Sequence, residues 1–339
     1  MPTLTAEELA AAEALAAVFR PGQRVCLTTH VNPDGDGLGS EVGLAHLLRA
    51  RGLTVSITNP TATPARFQFL FEELPGVDRT SEAVKEIRRC DVIVVLDISE
   101  LGRLGMLAEA VRERGVPVAC IDHHVSPGLL PPGPRYVDPT ASATGELVFE
   151  IAKANGWVIE QPAARGLYVA LLTDTGGFRF SNTHPRTLRI AAELLETGLD
   201  PEGIYLDVYA RAPEGRPRLL GEALQTLVVE PAIGLAWVTI PPGAVERLGL
   251  TSDDLDGVVE YPRSIDGVRM ALLFREVSAG RVKVSLRSVG SVDVAAFAKQ
   301  FGGGGHTKAA GLAVVGSLPE VQGSVLAAAR SYLSGNGRS

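Results

Sequence analysis

Residues 24–37 read RVCLTTHVNPDGDG, and the fold turns on this stretch. The run 24–29 is short and β-rich, and it ends on His30. A glycine-rich turn carrying Asp34 and Asp36 follows. From about 38 to 50, Leu44, Leu47 and Leu48 recur on one helical face. Strand, turn and helix in that order open an α/β unit. Outward along the chain, 53–58 reads as the next strand, and VIVVL (92–96) and VPVACI (116–121) are continuous apolar runs of strand length. Such runs suit parallel strands covered on both faces. Helices fit between them, including 103–114. The expected class is α/β, with an open, mostly parallel sheet flanked by helices.

Further on, 142–155 reads as a helix with Ser142 as its N-cap. Helical patterns follow at 162–173, 184–197 and 201–209, the last capped by Asp200. The segment RAPEGRP (211–217) has the composition of a linker. The second half then changes character, with strands at 234–240, 269–274 and 282–286 and helices near 252–259 and 292–299. It closes with GGGGH and a helix near 318–333. The expected division is a catalytic domain over 1–190, a helical linker over 191–217 and a smaller mixed α/β domain over 218–339.

Composition narrows the function. At 339 residues the chain is roughly two domains of about 150 residues each. Its 45% hydrophobic content suits packed cores. A net charge of −7 argues against a broad basic surface for long duplex nucleic acid. A short nucleic-acid substrate in a locally positive cleft stays compatible with it. Cys26, Cys90 and Cys120 have no CxxC spacing, and Cys26 and Cys120 sit in apolar runs, so buried free thiols are expected rather than disulfides. Glu7, Glu8 and Glu13 precede any basic residue, unlike a signal peptide. No apolar stretch approaches the roughly 18 residues of a membrane span. A cytoplasmic protein with no membrane partner is the expectation.

Metal-capable groups collect where predicted elements end. His30, Asp34 and Asp36 follow the first strand, Asp97 ends VIVVLD, Asp122-His123-His124 ends VACI, and Asp174 follows a helix in LLTDTGGF. In an open parallel sheet the strand C-termini line the ligand crevice. Each fragment alone has a bland reading as a solvated turn, a helix cap or a surface pair. Three of the chain's six histidines fall at these strand ends, and the conjunction favours a site. Carboxylates held close together repel unless cations neutralise them. A carboxylate-rich set with a minority of imidazole suits manganese or magnesium. Two such ions activate water and stabilise a phosphoryl transition state. Gly35, Gly37 and Gly39 loosely suggest a dinucleotide turn, but the spacing is not GxGxxG and two aspartates would face the pyrophosphate.

HVNPDGDG, VVLDIS, IDHHVSP and TDTGGF together resemble the ordered motifs of the DHH phosphoesterase superfamily, and FGGGGHTKAAG resembles its DHH-associated C-terminal domain. The resemblance runs from about residue 24 to the C-terminal helix, and its two-domain plan is most similar to the nanoRNase/pAp phosphatase subfamily. It implies a Mn2+ pair, with Mg2+ as a substitute. His30, Asp34 and Asp97 would hold one ion. Asp36, Asp97, His123 and Asp174 would hold the other, with Asp97 bridging. It further implies Asp122 as an orienting carboxylate, His124 at the scissile phosphate as hydrogen-bond donor or general acid, and a hydroxide nucleophile with no covalent intermediate.

In the second domain the four-glycine run reads by itself as a flexible loop. The resemblance raises Gly303, Gly304, Gly305, His306 and Lys308 to phosphate ligands, and adds Arg287 and Ser288 on the strand VKVSLRS. That domain is expected to clamp the far nucleotide. Arg179 is a further candidate, for substrate or for its own loop. The implied activity is hydrolysis of short RNA, about two to five nucleotides, to 5′-mononucleotides, and removal of the 3′-phosphate of pAp. Hydrolysis of linear or cyclic dinucleotides is the alternative within the same chemistry. A catalytically silent nucleotide-binding regulator is the alternative of another class, disfavoured because no ligand position is lost. Whether the chain forms a homodimer, as the family often does, stays open.

Overall fold

A computed structural model describes residues 4–98, 100–124 and 132–335, without the side chains of Asp253 and His306. The chain divides into two units, Met1–Arg211 and Ala212–Ser339. In the first unit, β1 (Arg24–Thr28), β2 (Thr54–Ile57), β3 (Val92–Leu96), β4 (Val118–Asp122) and β5 (Arg135–Val137) form one sheet in the order β2-β1-β3-β4-β5. Every pair in it is parallel. The helices are α1 (Ala6–Ala16), α2 (Gly35–Arg49), α3 (Ala83–Ile87), α4 (Ala108–Glu113), α5 (Thr144–Ala154), α6 (Gln161–Asp174), α7 (Pro185–Leu195) and α8 (Pro201–Tyr205).

The continuous apolar strands are explained by burial on both sides. Val92, Val94 and Leu96 pack with Leu44, Leu147 and Leu167 on one face. Ile93 and Val95 pack with Ile87, Leu104 and Val111 on the other. Strand order reverses between β1 and β3, so the crevice of an open α/β sheet lies at their C-terminal ends.

Glycines in α2 serve packing rather than a turn. The helix begins at Gly35, earlier than its leucine pattern suggested, because Asp34 caps it. A Cβ on Gly39 would come within 2.4 Å of the Gly166 carbonyl oxygen, and one on Gly166 within 2.6 Å of the Gly39 oxygen. Backbone-to-backbone approach of α2 and α6 follows, and it delivers Asp174, the last residue of α6, beside Asp36. The helix expected at 103–114 is instead a 3-10 segment, Leu101–Leu107, followed by α4, because Gly105 breaks it at φ 51°. Ser142 is not an N-cap. The amides at the start of α5 are met by Asp36, from 108 residues away.

The second unit holds a six-stranded mixed sheet in the order β10-β11-β9-β8-β7-β6. Its strands are β6 (Val228–Glu230), β7 (Leu235–Thr239), β8 (Met270–Ser278), β9 (Arg281–Ser288), β10 (Gly304–His306) and β11 (Ala309–Val315). Its helices are α9 (Gly215–Gln225), α10 (Ala244–Arg247), α11 (Glu260–Arg263), α12 (Val294–Lys299) and α13 (Leu318–Gly335). Met270, Leu272, Val284 and Leu286 pack on Phe297 and Val325 on one face, while Ala236, Val238 and Leu273 meet Leu219 and Val259 on the other. The four-glycine run is thus partly a strand of a hairpin rather than an open loop. The helix expected at 252–259 reduces to a 3-10 turn, Asp253–Leu255. All three cysteines are buried and outside any disulfide. No helix among the described residues is long and apolar enough to cross a membrane.

Candidate metal centre

His30 stands two residues beyond β1, where a buried network fixes the backbone. The Asn59 side chain accepts from Thr29 N at 2.9 Å and donates to Glu41 Oε2 at 2.9 Å. Asp34 divides its carboxylate. Oδ1 caps α2 by accepting from the amides of Asp36 and Gly37, each at 3.1 Å, while Oδ2 lies 3.7 Å from His30 Nε2. Asp97 follows β3 directly at φ 61°, a left-handed conformation that aspartate enters more readily than most residues. Its Oδ2 lies 3.4 Å from His30 Nε2 and its Oδ1 3.4 Å from His123 Nε2. One carboxylate therefore faces two histidines from two strands.

Asp36 and Asp174 complete the side nearest His123. Its Nε2 is 3.5 Å from Asp36 Oδ2 and 3.8 Å from Asp174 Oδ2. Asp36 accepts from Ser40 Oγ (3.1 Å), Thr144 N (2.7 Å) and Gly145 N (3.1 Å), and so sits at the positive end of α5. Thr144 Oγ1 donates to Asp97 Oδ1 at 3.0 Å. The Asn182 amide donates to the Ser142 carbonyl, the Asp174 carbonyl and Asp174 Oδ2 at 3.0, 3.2 and 3.3 Å. Sequence reading missed Asn182, Thr144 and Glu41, because nothing in their local spacing links them to ligands many residues away. A polar asparagine eight residues past Asp174 was the only available signal.

Three overlapping groups of ligand atoms result: His30, Asp34 and Asp97; Asp36, His123 and Asp174; and Asp97, His123 and His124. Within each group the atoms lie within 4.8 Å of one another. The donor set suits cations on two grounds. His30 Nδ1 meets the Val31 carbonyl at 3.0 Å and His123 Nδ1 meets the Ala141 carbonyl at 3.2 Å. Carbonyls only accept, so each Nδ1 carries hydrogen, and Nε2 is the ring atom turned toward the carboxylates. That arrangement is typical of metal-bound imidazole. The second ground is charge. Burial opposes a charge on His30, yet Asp34 and Asp97 push it up to about 10, and Asp97 with Asp36 does the same to His123, up to about 10. Burial, reinforced by the Asp97 charge, pushes Asp36 well above the usual carboxylate range, and burial pushes Asp174 up to about 6. Asp97, despite its burial, is held below that range by His123 and His30. The cluster is short of positive charge, and divalent cations supply what protons otherwise would.

His124 stands beside these ligands. Asp122, fully buried, accepts from His124 N at 3.1 Å and from His124 Nδ1 at 2.8 Å, and the His124 ring packs edge-on against His123 at 4.6 Å. A cavity opens next to the carboxylates, lined by Asp34, Asp36 and Asp174 together with Arg66, Phe67 and Tyr209. Arg179 is exposed, with its guanidinium 5.6 Å from the Phe180 ring centre.

Expected substrate residues of the second unit lie around the β9–β10–β11 edge. Arg287 Nε donates to Glu260 Oε1 at 2.8 Å. Lys308 Nζ donates to the carbonyls of Gly290 and of Val292, the latter at 3.1 Å. Ser288 is buried, and its hydroxyl donates to the Val292 carbonyl at 2.8 Å with the Thr307 carbonyl at 3.3 Å, so it braces the hairpin. Gly303 and Gly305 are required by packing, since a Cβ would meet the Gly311 oxygen at 2.3 Å and the Ala309 oxygen at 2.5 Å, whereas Gly304 faces open space. The His306 side chain lies outside the described residues.

Residues 24–171 match the model of the DHH family N-terminal domain and 241–335 that of the DHHA1 domain. The chain is 34% identical to the bifunctional oligoribonuclease and PAP phosphatase NrnA of Thermus thermophilus, over 95% of this chain and 93% of that protein. It belongs to the DHH family. As a DHH protein it is a phosphoesterase. The NrnA of Bacillus subtilis is 28% identical over 86% of this chain and 89% of its own length. Among solved structures, an exopolyphosphatase-related protein from Bacteroides fragilis superposes with a TM-score of 0.90 at 28% identity, covering 98% of each chain. RecJ of Thermus thermophilus in complex with Mn2+ shares the fold, with a TM-score of 0.53 at 16% identity over 98% of this chain and 56% of RecJ.

Proposed function

We propose that this chain is a two-metal, manganese-dependent hydrolase that degrades oligoribonucleotides of about two to five nucleotides to 5′-mononucleotides and converts pAp to AMP. The observation that carries it is the Asp97 carboxylate, whose two oxygens face two separate ligand groups. Relatives named as oligoribonuclease and PAP phosphatase over nearly the full length support the substrate class. Oxygen-rich ligation with a minority of imidazole supports manganese, with magnesium as substitute.

His30, Asp34 and Asp97 would hold one ion, and Asp36, Asp97, His123 and Asp174 the other. When bound, such a pair supplies Lewis-acid stabilisation of phosphoryl oxygens and lowers the pKa of a water nucleophile. The chain's own residues do the rest. Asp122 fixes His124 through Nδ1, and a proton on His124 Nε2 is the one the leaving oxygen takes. The buried amides of Thr144 and Gly145 keep Asp36 in place while charge at the phosphate rearranges. In the second unit Arg287 is the leading phosphate ligand, with Gly304 and its neighbours, His306 and Lys308 beside it. Since Arg287 would bind ground state and transition state alike, Arg287→Ala should raise KM with little change in kcat.

The test is hydrolysis of pAp and of 5′-labelled short RNA with manganese, with magnesium and with chelator. Manganese should give the highest rate and chelator none. Absence of hydrolysis of both substrates with manganese would overturn the proposal.

A further inference from the structure

Along β9, Lys283, Ser285 and Arg287 alternate with the buried Val282, Val284 and Leu286, so they share one face of the second sheet. Register places Arg275 of β8 directly across from Lys283, and Leu273 across from Ser285. These side chains line a groove together with Ser252, Asp256 and Gly257. Arg287 is committed to Glu260. Neither Arg275 nor Lys283 makes a direct hydrogen bond or ion pair among the described residues. Lys283 is exposed, but Arg275 is half-buried. Burial pulls the Arg275 guanidinium below its ordinary range, and Glu246 opposes that only partly.

A half-buried guanidinium whose nearest influence, Glu246, acts through space without a direct ion pair among the described residues is costly, and it carries five donors suited to a planar or tetrahedral oxyanion. Lys283 adds three donors and Ser285 a hydroxyl. Among the described residues that line the groove, Asp256 is the sole carboxylate against three cations.

We propose that Arg275, Lys283 and Ser285 form a second phosphate subsite, which takes a phosphodiester of an oligoribonucleotide farther along the chain than the phosphate held by Arg287. The subsite rests on the reading that Arg287 takes a substrate phosphate. Lys283 and Arg287 are four residues apart on one strand, about 13 Å. A compact nucleotide such as pAp, held at Arg287, leaves the subsite empty. A chain of four or five nucleotides reaches it. The groove therefore confers a preference among short substrates by length, without reading bases.

The experiment compares the full chain with Lys283→Ala, Lys283→Arg and Arg275→Ala/Lys283→Ala. KM and kcat are measured on pAp, a dinucleotide and a pentaribonucleotide with manganese. Binding of a fluorescein-labelled pentaribonucleotide is followed by anisotropy in chelator. The double variant should raise KM and Kd for the pentaribonucleotide about tenfold, and KM for pAp less than twofold, with kcat unchanged. Lys283→Arg should restore parental values. The dependence of log Kd on log salt should lose about 0.7 for each phosphate contact removed. Equal effects on pAp and pentaribonucleotide, no effect in Lys283→Ala (an exposed position whose loss leaves the core intact), or a parent that fails to bind the pentaribonucleotide would each overturn the subsite. Binding that depends on Lys283 without hydrolysis of any substrate would instead uphold the subsite and defeat the proposed activity.

Discussion

The two ligand groups that meet at Asp97 are chemically alike and mechanically different. In the group with His30, the Asp34 side chain is 53% exposed, and its hydrogen bonds among the described residues are those that cap α2. In the group with His123, Asp36 is 2% exposed and accepts three hydrogen bonds. Residues 141–145 brace that second group almost completely. Ala141 O takes His123 Nδ1, Ser142 O takes the amide that holds Asp174, and Thr144 and Gly145 bind Asp36 and Asp97. The brace has its own foundation, since Ser142 Oγ donates to Glu146 at 2.6 Å and Arg186 bridges Glu146 and Asp138. Rigid ligands lose little on binding, so the second group should retain its ion tightly and the first should exchange it.

Removing what the groups share should have the largest effect. Asp97→Asn should lower kcat on the order of a thousandfold and reduce bound manganese, read by calorimetry, at both positions. Loss of one ion with the other intact would show that Asp97 does not bridge. Next come the variants that separate the groups. Asn182→Ala frees Asp174 and should weaken the tighter ion about 10- to 100-fold while sparing the looser one. Asp34→Asn should do the reverse. If both variants weakened the same ion, the division into two groups would be wrong. Thermal stability of Asn182→Ala should stay close to that of the parent, which separates loss of positioning from loss of fold.

How much of this was legible beforehand follows the same division. Alternation of apolar strands and helices displayed the parallel sheet, because continuous apolar runs such as VIVVL and VACI suit strands covered on both faces, as these are. The candidate metal-holding residues could be picked out because Asp97 and His123 immediately follow strands and Asp34 and Asp36 lie two residues apart. The brace could not. Thr144 reaches Asp36 across 108 residues, and a threonine at a helix start advertises only a cap. Gly39 and Gly166 were equally opaque, since a glycine required by helix contact reads locally like a glycine required by a turn. In the second unit the glycine run read by itself as a flexible loop, whereas Gly303 and Gly305 answer to the packing of β10 on β11.

The smallest effect concerns the buried carboxylates behind each group. Glu41, beneath the His30 side, is pushed up to about 8 by burial, despite the hydrogen bond from Asn59. Glu150, behind the brace, is pushed up to about 7 by burial, despite the Tyr136 hydroxyl and Arg186. Both ordinary values are 4.5, so the folded state holds each proton more tightly than the unfolded chain does. Stability linked to these protons is fully present below about pH 4.5 and is lost as pH rises through about 8 for Glu41 and about 7 for Glu150. Glutamine keeps an acceptor for Asn59 and abolishes the loss. Glu41→Gln should therefore leave Tm unchanged near pH 4.5 and raise it by several degrees at pH 9, on the order of a few kcal/mol. Glu150→Gln should gain less and reach its plateau about one pH unit earlier. Melting curves at intervals from pH 4.5 to 9 check both. A gain for Glu41→Gln that is the same at both ends would mean that packing, not a buried charge, limits stability behind His30. The contrast between the two groups would then rest on Asp34 and residues 141–145 alone.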